Sequence, residues 1–145
     1  MSKLLYAVGV DGSEWSERAV ERAVHLAQQT GASVKVLYAI VWQDFQPMMV
    51  EGIAPAMLSK EEIEAEANVT ILQPLIDKYQ VEGVQLTCEL LWGEPVAVLH
   101  KYAKDHHVNM IFIGRRGRSV FVDILFGSVA NKLAHYVSVP LVLVP

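Results

Sequence analysis

Glycines and a serine near the carboxyl end of the chain are spaced in a way that suits a bound polyphosphate. The segment Gly114-Arg115-Arg116-Gly117 is followed, after nine residues, by Gly127-Ser128. Glycine allows backbone N–H groups to approach an anion closely, and the start of a helix offers further N–H donors. A serine at that helix start adds a hydroxyl donor. The spacing therefore predicts a phosphate-binding loop between residues 114 and 128.

The segments on either side of this loop have the patterns of a strand and a helix. Residues 109–113 form a short apolar run typical of a buried strand, and residues 128–135 are patterned as a short helix. Ligands of open α/β sheets lie outside the carboxyl ends of the strands. Asp11 follows another predicted strand, residues 4–10, and is a candidate ligand group. That role is compatible with its shaping the turn that follows.

Strand and helix patterns alternate along the whole chain. The five predicted strands are residues 4–10, 34–41, 84–91, 109–113 and 140–145. Helices are predicted between them, with Ser13 capping the first, Ser59 and Glu62 forming a capping box in the second, and Pro95 in the first turn of the third. Pro74 is expected to kink the second helix. This order predicts a single α/β domain, residues 1–145, with a doubly wound, five-stranded parallel, Rossmann-like sheet and four helices.

The composition excludes several classes of protein. The chain has 145 residues, of which 52% are hydrophobic and 19% charged, as expected of a folded domain. A net charge of −4 argues against nucleic-acid binding, which requires a basic face. The chain lacks the apolar run of a signal peptide or a membrane span, and a cytoplasmic location is predicted. The single cysteine, Cys88, lies in a predicted strand and is expected to be a buried, inert thiol.

Several catalytic and nucleotide-binding motifs are absent from the sequence. The first turn, Gly9-Val10-Asp11-Gly12, is not the three-glycine dinucleotide fingerprint, and no Gly-Lys-Ser/Thr ends a P-loop. The five histidines lack the spacing of metal ligands, and Ser128 has no identifiable base partner. No catalytic residue or metal ligand is therefore predicted, and any hydrolysis is expected to be slow.

Three segments together resemble the universal stress protein family of the UspA type. They are Val10-Asp11-Gly12-Ser13, the glycine spacing from Gly114 to Ser128, and the closing Val139-Pro140-Leu141-Val142-Leu143-Val144. The similarity covers the whole chain, and the glycine spacing resembles that of the ATP-binding subclass. The resemblance implies a fold of the adenine-nucleotide alpha-hydrolase type, with ATP as the ligand, alone or with Mg²⁺.

The same resemblance implies a role for each site residue. Asp11 would lie near the adenosine end of the nucleotide, and the backbone around Ala39 would hydrogen-bond adenine. The remaining implied residues surround the ribose and phosphates: Gly114, Arg115, Gly117, Gly127, Ser128 and the N–H of Val129. Whether the arginines of this loop bind phosphate or only solvate the loop is left open by the sequence.

With this resemblance, we predict a dimeric, cytoplasmic, ATP-binding regulatory protein of the stress response. The alternatives are a dimeric interaction module that binds no nucleotide and a slow adenine-nucleotide hydrolase. Residues 141–144 are apolar and are expected to lie at a sheet edge, which is a liability unless it is covered. Pairing of this strand with its own copy would cover it, and the resembling family commonly dimerises in this way. An unidentified protein partner is also expected.

Overall fold

The computed structural model describes residues 3–42, 59–116 and 128–145, and within them it forms one five-stranded parallel sheet. The strands are β1 (Leu5–Val10), β2 (Ser33–Ile40), β3 (Leu86–Trp92), β4 (Met110–Gly114) and β5 (Leu141–Val144). Their order across the sheet is β3-β2-β1-β4-β5, and every neighbouring pair is parallel. The predicted doubly wound, Rossmann-like topology is confirmed.

Helices connect the strands in the predicted alternation. They are α1 (Glu14–Thr30), α2 (Lys60–Ala67), a π-helical turn (Asn68–Leu72), α3 (Gln73–Tyr79), α4 (Pro95–Asp105) and α5 (Ser128–Tyr136). The segment from α2 to α3 is the second predicted helix. Its expected irregularity at Pro74 takes the form of the π-helical turn just before it, because proline has no N–H and its ring crowds the preceding turn.

Local hydrogen bonds set where the helices begin and end. The Ser13 hydroxyl accepts the Ser16 N–H at 3.2 Å, and Gly31, with φ of 78°, ends α1 in the left-handed conformation. Ser59 accepts the Glu62 N–H at 3.1 Å and donates its hydroxyl to the Glu62 carboxylate at 3.2 Å. Ser59 therefore caps α2 as predicted, whereas the bond to the Glu62 carboxylate comes from the Ser59 hydroxyl and not from the Ser59 N–H that a full capping box uses.

Helices cover both faces of the sheet. On one face α1 and the α2–α3 segment pack over a core that includes Val8, Val34, Leu72 and Phe112. On the other face, α4 and α5 pack over Leu37, Leu99, Ile111 and Leu133. Because both faces are buried, the central strands are apolar at nearly every position, as their sequences indicate. No helix within the described ranges is long and apolar enough to cross a membrane.

Cys88 lies in a strand as predicted, but it is half-buried rather than buried. The reason is the position of its strand, because β3 is an edge of the sheet. Desolvation still raises the pKa of the Cys88 thiol, and the charge of Lys35 only partly opposes this. A raised pKa leaves less reactive thiolate at neutral pH, in keeping with the predicted inert thiol.

The π-helical turn gives a direct test of this packing, because it contains one buried and one exposed aliphatic residue. Leu72 is fully buried, whereas Val69 is 72% exposed. We expect Leu72→Ala to lower the free energy of unfolding by about 2–5 kcal/mol through lost contacts and a cavity. Val69→Ala should change it by no more than about 0.5 kcal/mol. Urea unfolding measures both, and equal losses would show that the turn does not direct Leu72 into the core.

Candidate functional site

The order of the strands reverses at β1, which lies between β2 and β4. The chain leaves β1 towards α1 on one face of the sheet, whereas α5 lies on the opposite face. In sheets of this kind, a crevice opens at the carboxyl ends of the two strands where the connections diverge. The strand ends of β1 and β4 therefore form the candidate site.

The register of the sheet brings four predicted site residues to this edge. Gly9 of β1 pairs with Ile113 of β4. Asp11 and Arg115, which lie two residues after this pair, therefore follow the ends of neighbouring strands. Val10 pairs with Tyr38, which puts Ala39 of β2 beside the end of β1. Gly114 is the last residue of β4. Asp11, Ala39, Gly114 and Arg115 thus share one edge of the sheet.

The remaining predicted residues begin the next helix or lie outside the described part. Ser128 and Val129 are the first two residues of α5, and Val129 is half-buried against the core of the second face. The backbone N–H groups of a first helical turn have no partner within their own helix. Gly117 and Gly127 lie outside the described residues.

Asp11 shapes the turn between β1 and α1. Its carboxylate accepts the Ser13 N–H at 2.9 Å, and its own N–H donates to the Ser16 hydroxyl at 3.4 Å. Ser16 is buried, and its hydroxyl donates in turn to the Ser13 carbonyl at 2.9 Å. These hydrogen bonds hold Asp11 at the edge of the sheet, so the turn role anticipated for this residue is present.

Gly114 is required by packing. A Cβ at this position would lie 2.8 Å from both the carbonyl carbon and the Cβ of Trp15, and 2.9 Å from the carbonyl oxygen of Arg116. Trp15 belongs to the first turn of α1, so the end of β4 and the start of α1 touch through their main chains. The glycine spacing predicts that this residue keeps the backbone open to phosphate. The structure adds a contact inside the protein.

The two arginines after Gly114 have different surroundings. Arg115 is exposed, and its backbone N–H donates to the Val144 carbonyl of β5 at 2.7 Å. Arg116 is half-buried, and its Nε is fully buried with no hydrogen-bond acceptor among the residues that the structure describes. A guanidinium has donors only, and a buried donor without a partner costs about 1–3 kcal/mol. The sequence left open whether Arg115, Arg116 and Arg118 bind phosphate or only solvate the loop, and it could not separate Arg116 from the others, because burial of one side-chain atom leaves no signal in a sequence.

A separate groove of about 310 Å³ lies between α1 and the α2–α3 segment. Glu17 and Lys78 line this groove. The Glu17 carboxylate accepts a hydrogen bond from the Lys78 ammonium and another, at 2.8 Å, from the Tyr79 hydroxyl. These two hydrogen bonds, with that from Lys78 the stronger, hold the pKa of Glu17 below its usual value. The cluster ties α1 to α3. Within the described residues, no group of three or more His, Cys, Asp or Glu side chains could hold a metal ion.

The contact at Gly114 can be separated from any role in ligand binding. We expect Gly114→Ala to lower the free energy of unfolding by about 1–3 kcal/mol without any nucleotide present, because the added methyl group meets main-chain atoms that have no room to move. Urea unfolding of the ligand-free protein measures this loss. A variant that is as stable as the wild type, and is impaired only in nucleotide binding, would show that the glycine serves ligand approach alone.

Comparison with known proteins agrees with this architecture. The sequence model of the universal stress protein family matches residues 7–145. The universal stress protein YxiE of Bacillus subtilis is 30% identical over an alignment that covers 94% of this chain and 95% of the relative.

Solved structures share the fold at lower identity. UspA from Lactobacillus plantarum has a TM-score of 0.76 at 19% identity and covers 100% of both chains. A universal stress protein in complex with cAMP has a TM-score of 0.73 at 22% identity, covering 100% of this chain and 99% of that one. The universal stress protein from Archaeoglobus fulgidus in complex with dAMP has a TM-score of 0.70 at 22% identity, covering 99% of this chain and 98% of that one. Because the family model spans nearly the whole chain, this protein belongs to the universal stress protein family.

Proposed function

We propose that this protein binds an adenine nucleotide, in the first place ATP, at the carboxyl ends of β1, β2 and β4, and that nucleotide occupancy regulates its interactions. The observation that carries the proposal is the register of the sheet, which aligns Asp11, Ala39 and Gly114 at one edge. Two structurally similar universal stress proteins have been solved with cAMP and dAMP, which are adenine nucleotides.

In this proposal each part of the nucleotide meets a different strand or loop. The backbone at Ala39 binds adenine, and Asp11 lies near the ribose. The phosphates lie against Arg115, the loop glycines Gly114, Gly117 and Gly127, the Ser128 hydroxyl and the Val129 N–H. The described residues fit a phosphate ligand in one specific respect: Arg116 carries a buried donor that lacks an acceptor. Mg²⁺, where it takes part, would enter bound to the triphosphate.

The proposed role is regulatory, with hydrolysis slow at most. Asp11, the acidic residue at this edge, accepts a backbone N–H and shapes the turn, a task that moves no proton. The cytoplasmic location and the unidentified protein partner stay predictions from the sequence.

We further propose a symmetric homodimer formed through β5. This strand is an edge of the sheet and pairs only with β4 among the described strands. The carbonyls of Pro140 and Val144 accept N–H groups of Ile111 and Arg115. Because alternate residues of a strand face the same neighbour, the backbone groups of Leu141 and Leu143 point to the open edge. Their apolar, half-buried side chains make this edge a liability that pairing with a second copy would remove.

Nucleotide binding predicts a stabilised fold. At roughly a hundred times its dissociation constant, ATP should add about 2.7 kcal/mol to the free energy of unfolding, which raises the melting temperature by several degrees. Gly127→Val, which puts a branched side chain at the proposed phosphate contact, should weaken binding at least about tenfold while the circular dichroism spectrum is retained. Calorimetry and thermal melting measure both effects. An unmoved melting curve at millimolar ATP with magnesium, with no heat of binding, would refute the nucleotide site.

The dimer can be tested at the backbone of β5. Leu143→Pro removes an N–H that points to the open edge and leaves the hydrogen bonds to β4 in place, so it should give a folded monomer, with some loss of stability from the missing leucine. Val142→Pro is the matched control, because it removes a donor on the side of β4 and should damage the fold itself. Sedimentation analysis at micromolar concentration measures the assembly. A wild-type monomer would exclude the dimer, and a dimer that persists in Leu143→Pro would move the interface elsewhere.

A further inference from the structure

Arg116 follows the end of β4, next to the first turn of α1 and the end of β5. Its carbonyl oxygen lies against Gly114, which in turn contacts the main chain of Trp15 in the first turn of α1. The preceding residue, Arg115, is bonded through its N–H to Val144 of β5 at 2.7 Å. Arg116 therefore follows β4 beside the start of α1 and the end of β5, at the carboxyl edge where the nucleotide is proposed to bind.

The carboxylates at the start of α1 have partners other than Arg116. The Glu14 carboxylate lies 4.0 Å from an Nη of Arg18, and the Glu17 carboxylate accepts hydrogen bonds from Lys78 and Tyr79. Asp11, at the end of β1, accepts the Ser13 N–H. None of these contacts supplies an acceptor for the buried Nε–H of Arg116, which has none among the described residues.

We propose that the Nε–H of Arg116 donates to a phosphate oxygen of the bound nucleotide, so that Arg116 determines the preference for nucleotides over the uncharged nucleoside. This inference rests on the proposed nucleotide binding. An arginine Nε–H and the neighbouring Nη–H form a planar fork that matches two oxygens of a phosphate, and such charge-assisted hydrogen bonds are strong. Adenosine has no phosphate and gains nothing from this contact.

Arg115 is the less suitable of the two loop arginines. Its side chain is exposed, and a contact in solvent contributes little because water competes for both partners. Its backbone serves the contact with β5. The side chain that discriminates phosphate is therefore Arg116, although the residue type is the same at both positions.

The test compares affinities for adenosine, AMP and ATP, measured by calorimetry on the full chain. Arg116→Met keeps an unbranched side chain as far as the position of Nε and removes the donors. It should lower the affinity for ATP by about tenfold or more while changing that for adenosine by less than about twofold. Arg116→Lys keeps the charge without the fork and should recover only part of the loss. Arg115→Met should cost less than Arg116→Met. Arg22→Met, which removes an exposed charge from α1, is the control and should leave the affinities unchanged.

A second readout separates ligand contact from a structural role. Without nucleotide, Arg116→Met should unfold at the same or a higher urea concentration than the wild type, because it removes an unpaired buried donor. With saturating ATP the order should reverse. If the variant is less stable than the wild type without ligand, or loses affinity for adenosine and ATP equally, the inference about Arg116 is overturned. The proposal that the wild-type protein binds a nucleotide would still stand. A wild-type protein that binds neither adenosine nor ATP would overturn both proposals.

Discussion

The parallel pairing of β1 with both β2 and β4 is the constraint on which the rest of this structure depends. Parallel strands cannot be joined by tight turns, so every connection must cross one face of the sheet, and it does so with one handedness. Strands added on the two sides of β1 consequently place their helices on opposite faces. The loops after β1 and β4 diverge for this reason, and the crevice between them follows from the topology before any ligand is considered.

Small residues allow the two helical layers to pack closely against this sheet. The inward side of α1 is built from alanines, with Ala19, Ala23 and Ala27 fully buried. On the other face, a Cβ at Gly9 would lie 3.0 Å from Leu99 of α4. Gly114 allows the same closeness between β4 and Trp15. The small residues of α1 and of the sheet thus allow close packing. Gly114, which the sequence associates with a ligand, also sets how closely β4 approaches α1 at the candidate site.

Adjacent residues at the end of β4 face different parts of the molecule. The backbone of Arg115 bonds to β5, whereas the side chain of Arg116 carries its buried donor at the start of the glycine loop. The candidate nucleotide site is therefore a single peptide unit away from the hydrogen bonds that join β4 to β5.

The sequence by itself determined the fold class, the order of the elements and their caps. Hydrophobic periodicity and the hydrogen bonds of Ser13 and Ser59 act within a few residues, so they can be read from neighbouring positions. The sequence also pointed to Asp11, Ala39 and Gly114, whose common edge follows from parallel strands. The limits of β3 were shifted by one or two residues, because the turn before it holds the N–H of Val84 on the Val81 carbonyl at 3.4 Å.

Only the tertiary structure decided features that depend on distant segments. Cys88 is half-buried because its strand became an edge, and the register across strands put Ala39 beside Asp11. The contact of Gly114 with Trp15 joins residues about a hundred positions apart, and the burial of the Arg116 Nε depends on the atoms packed around that side chain. Burial and close approach are properties of several segments packed together, and no local pattern of residues encodes them.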